Sequence, residues 1–304
     1  YILAIIDRTM QVALTYHFVV AGFRFAVEMP RGWDAAAMLP SFAPFRAEES
    51  DGERLFTMHV CDSPLQCDGG ELWDESVNDL GFTRLYRTGD SYRVALRYTY
   101  DGPEHAMLAD SRFTVLRVHL RCDDPYAGHA LSSLLRLAYS QAVVWHRAVS
   151  IHASAVVLDG KGYLFMGQSG TGKSTHSALW QQCFGGCRLL NDDNPTLRIV
   201  DGGVVVSGTP WSGKTHCYLD EQYPVGALVR LVQASENRYR QQSGVGAFVA
   251  LLPGCSVVRR DAEQYDALCN TLADIVEMTE VGIMECLPDT AAAHKCREGI
   301  AGGV

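Results

Sequence analysis

Nine residues in the middle of the chain carry its clearest chemical pattern: residues 167–175 read Gly-Gln-Ser-Gly-Thr-Gly-Lys-Ser-Thr. They fit the spacing G-x-x-x-x-G-K-[ST] in full. Glycines at this spacing let the backbone approach phosphate oxygens and point N–H groups at them. A helix that follows adds the partial positive charge of its N-terminus. The predicted nucleotide-binding residues are Gly167, Ser169, Gly170, Thr171, Gly172, Lys173, Ser174 and Thr175.

Two side chains of this pattern have chemistry of their own. Lys173 supplies a point charge for the β- and γ-phosphates, and the Ser174 hydroxyl is placed to ligate magnesium. We therefore expect ATP and Mg²⁺, although the pattern does not separate ATP from other nucleoside triphosphates. A chance match in a glycine-rich turn is the alternative, and the strand before and helix after the pattern favour function.

An acidic pair, Asp192-Asp193, follows the apolar Leu189-Leu190. A carboxylate at the end of a core strand can hold a metal or accept a proton from an attacking hydroxyl. Residues 191–195, Asn-Asp-Asp-Asn-Pro, could equally form a plain turn, because each of these residue types favours turns. The position at the end of the next strand after the glycine-rich pattern favours the functional interpretation.

Together, His152, the glycine-rich pattern and the acidic pair resemble the HPr kinase/phosphorylase and phosphoenolpyruvate carboxykinase superfamily. A closer match is to HPr-kinase-related proteins, including kinases in peptide-modification clusters, which carry His-Ala-Ser-Ala before a hairpin, as at residues 152–155. The resemblance covers roughly residues 150–300. It implies a hairpin directly before the phosphate-binding loop, which agrees with the pattern of residues 151–166.

The resemblance also implies roles for individual residues. Lys173 and Ser174 would handle phosphate and magnesium, and Asp192 would be the base that activates an acceptor hydroxyl. In the carboxykinase branch an aspartate of this pair helps to bind metal, so the candidate metal residues are Ser174, Asp192 and Asp193. His152 would lie near the transferred phosphate, and the candidate catalytic set is Asp192, Lys173 and His152.

The chain departs from this family after the acidic pair. A Glu-Ile-Arg-Gly-Leu-Gly run is absent, and residues 208–215 read Gly-Thr-Pro-Trp-Ser-Gly-Lys-Thr instead. The resemblance therefore does not extend to HPr as the acceptor or to the reverse phosphorylase reaction. No carbon-dioxide or oxaloacetate site is recognisable, so the carboxykinase reaction is not expected either.

Residues 208–215 repeat the glycine and lysine spacing of a phosphate loop, but we do not interpret them as a second nucleotide site. Ser212 and Lys214 in a tight loop, with Arg230 further along, are instead candidates for an anion site or for the acceptor pocket. A Pro-Trp surface turn is the alternative for this segment.

Two kinds of element must position these residues. Residues 1–125 contain short apolar runs broken by Gly, Pro and Asp, beginning with an apolar strand at residues 1–6, and predict a smaller β-rich domain of unreadable role. Residues 127–147 show helical spacing and lead into a second domain, 126–304. The fold class is α/β, an HPr kinase/PEP carboxykinase-like P-loop domain preceded by the β-rich domain.

Within the second domain the pattern predicts a series of alternating elements. We expect a hairpin over 151–166, a helix over 174–183 and a strand near 187–190. A second hairpin is expected from strands 197–200 and 204–206 around a turn at 201–203, followed by a strand near 225–232. Helices near 246–252, 262–278 and 289–297 and a strand over 281–287 complete the prediction.

Composition limits the partners of the chain. Its 304 residues are 47% hydrophobic and 20% charged, with a net charge of −9 that argues against nucleic acid as a partner. None of its ten cysteines forms a CxxC pair, which indicates free thiols in a reducing cytoplasm. No apolar run is long enough to cross a membrane. A homo-oligomer is compatible with the sequence.

These residues predict an ATP-dependent kinase that moves the γ-phosphoryl group to a hydroxyl of a protein, a peptide or a small molecule. One alternative is a nucleotide-binding regulatory protein without transfer chemistry. Another is an ordinary P-loop NTPase, which needs a longer hydrophobic strand before its acidic residue than Leu189-Leu190 provides.

Overall fold

The computed structural model describes residues 13–65, 69–78, 80–213 and 215–302. The strand expected at residues 1–6 and the candidate Lys214 lie outside the described residues. The chain divides into two compact units, Tyr1–Ala142 and Val143–Val304, and both are built around a large β-sheet. The architecture is a mixed α/β fold.

The described residues of the first unit form a nine-stranded sheet and two helices. The strands are β1 (Ala13–Val20), β2 (Phe23–Pro30), β3 (Arg46–Ala47), β4 (Phe56–Cys61), β5 (Glu71–Asn78), β6 (Gly81–Thr88), β7 (Ser91–Arg97), β8 (His105–Asp110) and β9 (Val115–His119); the helices are α1 (Ala35–Met38) and α2 (Ala127–Ala142), and Pro40–Phe45 is a 3-10 helix. The strand order is β3-β1-β2-β4-β9-β8-β7-β6-β5, with β4 parallel to β2 and to β9. Helix α2, which the sequence pattern assigned to the start of the second domain, packs on α1 and β7 of this unit.

Aromatic side chains fill the core of the first unit. Phe25 stacks on Phe56 at 4.7 Å between ring centroids, and Phe18 meets Phe42 edge to face at 5.3 Å. All four rings are almost completely buried. Such large apolar groups account for much of the burial that stabilises a β-sheet on its covered face.

The second unit is a nine-stranded mixed sheet flanked by four helices. Its strands are β10 (Ala148–Ser150), β11 (Ala153–Leu158), β12 (Lys161–Met166), β13 (Arg188–Asn191), β14 (Thr196–Val200), β15 (Gly203–Ser207), β16 (Gln222–Gln233), β17 (Arg238–Gln242) and β18 (Val281–Cys286); its helices are α3 (Lys173–Cys183), α4 (Gly244–Leu251), α5 (Ala262–Met278) and α6 (Thr290–Ala301), with 3-10 helices at Val143–His146 and Leu252–Gly254. The order is β10-β14-β15-β16-β12-β11-β13, and β18 joins β16 and β17.

Both faces of the central strands of this sheet are covered. Leu164 and Leu228 belong to the core shared with α4 and α5, whereas their neighbours Phe165 and Val229 belong to the core shared with α3 and α6. Successive residues of a strand point to opposite faces. A strand buried on both faces therefore reads as a continuous apolar run, which is what the sequence has here.

The direction of these strands gathers several chain segments at one edge of the sheet. Strand β12 is parallel to β16, and β11 is antiparallel to both β12 and β13, so β13 runs in the same direction as β12. The residues that follow β12 and β13 and those that precede β11 consequently meet at one edge. Ligands of open α/β sheets bind at such carboxyl ends of strands.

Among the helices that the structure describes, none is both long enough and apolar enough to span a membrane.

Candidate functional site

The glycine-rich loop, residues 167–172, connects the end of β12 directly to α3. Gly170 and Gly172 have φ angles of 80° and 105°, which residues with a side chain rarely adopt. Thr171 closes the loop on itself, since its N–H and its hydroxyl both donate to the Gln168 carbonyl, at 3.1 and 2.7 Å. The strand–loop–helix context predicted for this pattern is present.

Lys173, the first residue of α3, is 8% exposed. Its Nζ donates to the carbonyl oxygens of Gly167, at 3.1 Å, and Gln168, at 3.4 Å, which holds the ammonium across the start of the glycine-rich loop. Ser174 and Thr175 follow on the first turn of the helix, and both are exposed. A cation, a hydroxyl and the helix N-terminus therefore lie together.

An aromatic cluster anchors α3 to the sheet. Trp180 is fully buried against Tyr163, Phe165 and Phe184, with ring centroids 5.0 to 5.1 Å apart. Its Nε1 donates to His176 Nε2 at 3.1 Å. Burial lowers the pKa of His176 to about 4, so that its ring is neutral and can accept this bond. The helix that follows the loop is thus fixed from its buried side.

The acidic turn, residues 191–195, follows β13. The Asn191 side chain accepts hydrogen bonds from the backbone N–H groups of Asp193, at 3.0 Å, and Asn194, at 2.8 Å. Its Nδ2 donates to the carbonyl oxygens of Thr209, at 3.3 Å, and Trp211, at 3.0 Å. The segment is a tight turn, as its composition indicates, and this turn holds both carboxylates in buried positions.

The two oxygens of Asp192 have different surroundings. Oδ1 accepts a hydrogen bond from Ser154 Oγ at 2.8 Å, and Ser154 Oγ lies 2.6 Å from Ser177 Oγ on α3. Oδ2 is buried and has no hydrogen-bond partner within the described ranges of the chain. A buried carboxylate oxygen without a partner costs stability, which is a common feature of functional sites.

Helix α3 links this carboxylate to the glycine-rich loop. Ser177 stands four residues after Lys173, and residues at that spacing lie one above the other on the same helix face. The rise over four residues is about 6 Å. Ser154 and Ser177 therefore connect Asp192 to α3, on the helix face that also carries Lys173.

His152 lies beside the second aspartate. Its Nε2 is 3.3 Å from Asp193 Oδ1, and about a third of its side chain is exposed. The backbone fixes the pair, because the Ala153 N–H donates to the Asp193 carbonyl at 3.0 Å and the His152 N–H donates to the Gly254 carbonyl at 2.8 Å. The structure thus brings His152 to the acidic turn, far apart as the two are in sequence.

The predicted anion segment, residues 208–215, packs against the acidic turn. A Cβ atom on Gly213 would lie 3.2 Å from the Asp192 carbonyl oxygen and 3.5 Å from Asp193 Cβ. The Ser212 hydroxyl donates to the Thr215 carbonyl at 2.6 Å and so serves its own loop. The segment is adjacent to the acidic pair, while its Lys214 lies outside the described residues.

Arg230 lies next to the start of the glycine-rich loop. It pairs in parallel register with Met166, the last residue of β12, and is half-buried. Within the described part of the chain its guanidinium has no hydrogen bond or ion pair. Further along β16, Gln233 Nε2 donates to the Gly170 carbonyl at 3.3 Å. Strand β16 therefore supports the loop through Gln233 and brings the backbone of Arg230 beside the start of the loop.

Four residues of this arrangement were not anticipated from the sequence: Ser154, Ser177, Asn191 and Thr209. Serines in apolar segments carry little information, although Ser177 falls at helical spacing from Lys173. Asn191 was recognised only as a turn residue. Its hydrogen bonds to residues 209–211 join two segments that are separated by the whole β14–β15 hairpin. No local sequence pattern indicates that these segments meet.

The oxygen donors here fit magnesium in their chemistry. Mg²⁺ takes oxygen ligands and usually uses only one or two carboxylates, with water and substrate phosphates completing its shell. The carboxylates of the acidic pair and the exposed Ser174 hydroxyl supply oxygen ligands of that kind. No group of three or more His, Cys, Asp or Glu side chains that could form an all-protein metal site occurs in the residues that the structure covers.

Comparison with known proteins gives distant likenesses among solved structures. No family model matches the chain, and no curated protein matches it. Among solved structures, the HPr(Ser) kinase/phosphatase from Coxiella burnetii is similar over 51% of this chain and 97% of its own, with 16% sequence identity and a TM-score of 0.31. A likeness at this level carries no argument about fold or activity, so the residues of this chain must support any assignment.

Proposed function

We propose that this protein is an ATP-dependent phosphotransferase, a kinase related to the HPr kinases, that moves the γ-phosphoryl group of ATP to a hydroxyl. One observation carries the proposal. At a single edge of the second sheet, a glycine-rich loop that opens a helix stands beside a buried aspartate with one unpartnered oxygen. The first feature suits a nucleotide and the second suits proton transfer.

The phosphate end of the site is formed by the glycine-rich loop, the N-terminus of α3 and Lys173. On binding, the Lys173 ammonium exchanges the Gly167 and Gln168 carbonyls for phosphate oxygens, which are stronger partners because they are charged. Arg230, at the side of the loop, adds a second cation where negative charge increases in the transition state. The acceptor's own anionic groups are an alternative partner for Arg230.

Magnesium would be held by Ser174 together with Asp193 of the acidic pair, which leaves Asp192 Oδ2 for the proton of the acceptor. When bound, the ion supplies positive charge to the β- and γ-phosphate oxygens and orients them. Asp193 is kept in place for this by His152 and by the backbone of the acidic turn.

At the acceptor end, Asp192 Oδ2 takes the proton of the acceptor hydroxyl. The acceptor oxygen then forms a bond to the γ-phosphorus, while the bond from that phosphorus to the β–γ bridging oxygen breaks and ADP leaves. His152, partly exposed beside Asp193, donates a hydrogen bond to the transferred group or orients the acceptor. The acceptor is a hydroxyl of a protein, a peptide or a small molecule.

The unpartnered oxygen favours transfer over simple nucleotide binding. A protein that only binds a nucleotide gains nothing from a buried, half-satisfied carboxylate, which costs about 1–3 kcal/mol or more of stability. A residue that accepts a proton during the reaction needs such an oxygen.

The test is transfer of label from γ-³²P-ATP to a fractionated lysate of the source organism. Asp192→Asn keeps the shape of the side chain and removes the base, so we expect transfer to fall by about 10²–10⁴-fold while MgATP binding is kept. The matched control is Asp201→Asn, at an exposed hairpin turn on the opposite end of β14, which should transfer label normally.

Two results would count against the kinase. Equal labelling by the wild type and Asp192→Asn shows that Asp192 is not the base. Tight MgATP binding without labelling of any fraction supports a nucleotide-binding regulatory protein instead.

A further inference from the structure

Two buried serines connect Asp192 to the helix that follows the glycine-rich loop. Ser154 on β11 and Ser177 on α3 are 0% and 1% exposed, and their Oγ atoms lie 2.6 Å apart. Ser154 Oγ also lies 2.8 Å from Asp192 Oδ1. A hydroxyl has one proton, and an ionised carboxylate only accepts. Ser154 must therefore donate to Asp192, so the bond between the serines must be donated by Ser177.

We propose that Ser154 and Ser177 are positioning residues that orient the Asp192 carboxylate for phosphoryl transfer. The inference rests on the proposed function and deepens it. The directed chain from Ser177 through Ser154 occupies Oδ1 and fixes the rotation of the carboxylate. Oδ2, the oxygen without a partner, is left as the atom that takes the acceptor's proton.

The chain also sets the position of the base relative to the phosphate end of the site. Ser177 belongs to the second turn of the helix that Lys173 opens, on the same face. Since α3 is anchored by Trp180 and Ser154 lies in a central strand, neither serine can move independently of the sheet. The distance from Asp192 to the phosphates is thereby fixed by packed elements and not by a loop. Catalytic groups held in this way lose rate when their supporting hydrogen bonds are removed.

A purely structural role for the serines leads to a different expectation. Small polar residues are placed in a core mainly for packing, and then each would affect stability independently of Asp192. Val156, the next residue of β11 on the same face, is a buried apolar residue, so this face of the strand does not itself require a hydroxyl at Ser154. The distinction between orienting Asp192 and packing the core can be measured as coupling between the side chains.

The experiment is a double-mutant cycle on MgATP turnover, followed as hydrolysis and as transfer of ³²P label. Ser154→Ala should lower kcat about tenfold and Ser177→Ala by a smaller factor, with KM for MgATP unchanged. In the Asp192→Ala background, Ser154→Ala should have no further effect on kcat. Ser140→Ala is the matched control, because Ser140 is equally buried but donates only to the Arg136 carbonyl of its own helix.

Unfolding in urea gives a readout besides activity. The midpoint shifts of Ser154→Ala and Asp192→Ala should not add in the double variant, because the same hydrogen bond is lost in each. Ser177→Ala replaces Ser154→Ala in both cycles if the strand variant does not fold.

The outcomes separate this inference from the proposed function. Additive losses in both cycles, or an unchanged kcat for Ser154→Ala while Asp192→Ala abolishes transfer, overturn the positioning role alone. Transfer that survives Asp192→Ala overturns the base and its positioning residues together.

Discussion

Two features of the Lys173 side chain bear on phosphate binding: the burial of its stem and the contacts of its ammonium group. Its stem is buried at the start of α3, while its ammonium donates to two carbonyls of the loop that precedes it. Neutral carbonyls are weaker partners for an ammonium group than charged phosphate oxygens are. The amine therefore has to move only locally to reach a phosphate.

Lys173→Ala should weaken MgATP binding by at least about tenfold, because hydrogen bonds between charged groups contribute about 1.5–3 kcal/mol each. Titration calorimetry measures the effect directly. The matched control is Lys161→Ala, an exposed lysine at the start of β12, the strand that leads into the loop. Binding of Lys173→Ala within twofold of the wild type would place the nucleotide elsewhere.

His176 makes the stability of the second unit sensitive to pH. Burial lowers its pKa from 6.5 to about 4, so the unfolded chain takes up a proton in a range where the folded chain does not. Stability from the neutral ring is complete above about pH 6.5 and is lost as the pH falls toward 4, by on the order of 3 kcal/mol. Protonation at Nε2 would also remove the acceptor of the Trp180 bond.

His176→Gln should make the free energy of unfolding depend less on pH between about 6.5 and 4. Glutamine keeps an acceptor for Trp180 but does not titrate. Urea unfolding at pH 7 and at pH 4.5 checks the prediction. Other carboxyl and histidine groups contribute equally to both proteins. The difference between wild type and variant in how far the free energy of unfolding changes from pH 7 to pH 4.5 is therefore due to His176. Parallel slopes would contradict the assignment of this shift to burial.

At the scale of elements, the acidic turn is held from two directions by one side chain. Asn191 accepts from two N–H groups of its own turn and donates to residues 209–211. The Thr209 hydroxyl returns a bond to the Asn194 carbonyl at 2.8 Å. The acidic turn and the segment that ends at Gly213 consequently behave as one structural piece.

Asn191→Ala should destabilise the second unit by about 2–4 kcal/mol, because it removes the acceptor of two buried N–H groups and the donor to the Thr209 and Trp211 carbonyls. Asn191→Asp distinguishes the accepting hydrogen bonds from the donating ones, since aspartate can still accept from the turn but cannot donate to residues 209–211. Free energies of unfolding from urea titration rank the variants. An equal loss for both would show that only the donor half matters.

Much of the second unit could be predicted because its elements begin and end on local features. The hairpin β11–β12, the helix after the glycine-rich loop and helix α5 all occur where the pattern placed them. Asp289, expected at a helix N-terminus, caps α6 by accepting from the Ala292 N–H at 2.9 Å. Such caps and turns depend on a few neighbouring residues, which a sequence displays directly.

Other parts depend on pairings over long distances and could not be predicted. The sequence pattern predicted no element at residues 238–242, but they form β17, which pairs with β18 some forty residues later. Arg240 there forms an ion pair with Glu285 at 2.6 Å. A polar strand has no apolar alternation of its own, so only its partner strand defines it. The contacts of Ser154 and of residues 208–213 were hidden for the same reason.

At the scale of the whole molecule, every proposed site residue that the structure describes belongs to Val143–Val304. Hydrogen exchange should therefore localise the nucleotide. MgATP should increase protection in peptides that cover residues 167–177 and 188–194, because binding stabilises the folded state of the region it contacts. Peptides from residues 13–142 provide the internal comparison. Protection confined to that first unit would be incompatible with the proposed site.

Strand β16 stands between β15 and β12, and this order has a consequence for synthesis. The glycine-rich loop and the hairpin before it are synthesised before β16. Arg230 and Gln233, which donates a hydrogen bond to the loop, follow more than fifty residues later. Parallel pairing of β12 and β16 must wait until that later segment has emerged, and such non-local pairing is slow. A nascent chain that ends before β16 therefore lacks both Arg230 and the hydrogen bond from Gln233 to the loop. Nucleotide added during translation would then favour only chains that have passed this point, and binding would report the pairing of β16 with β12.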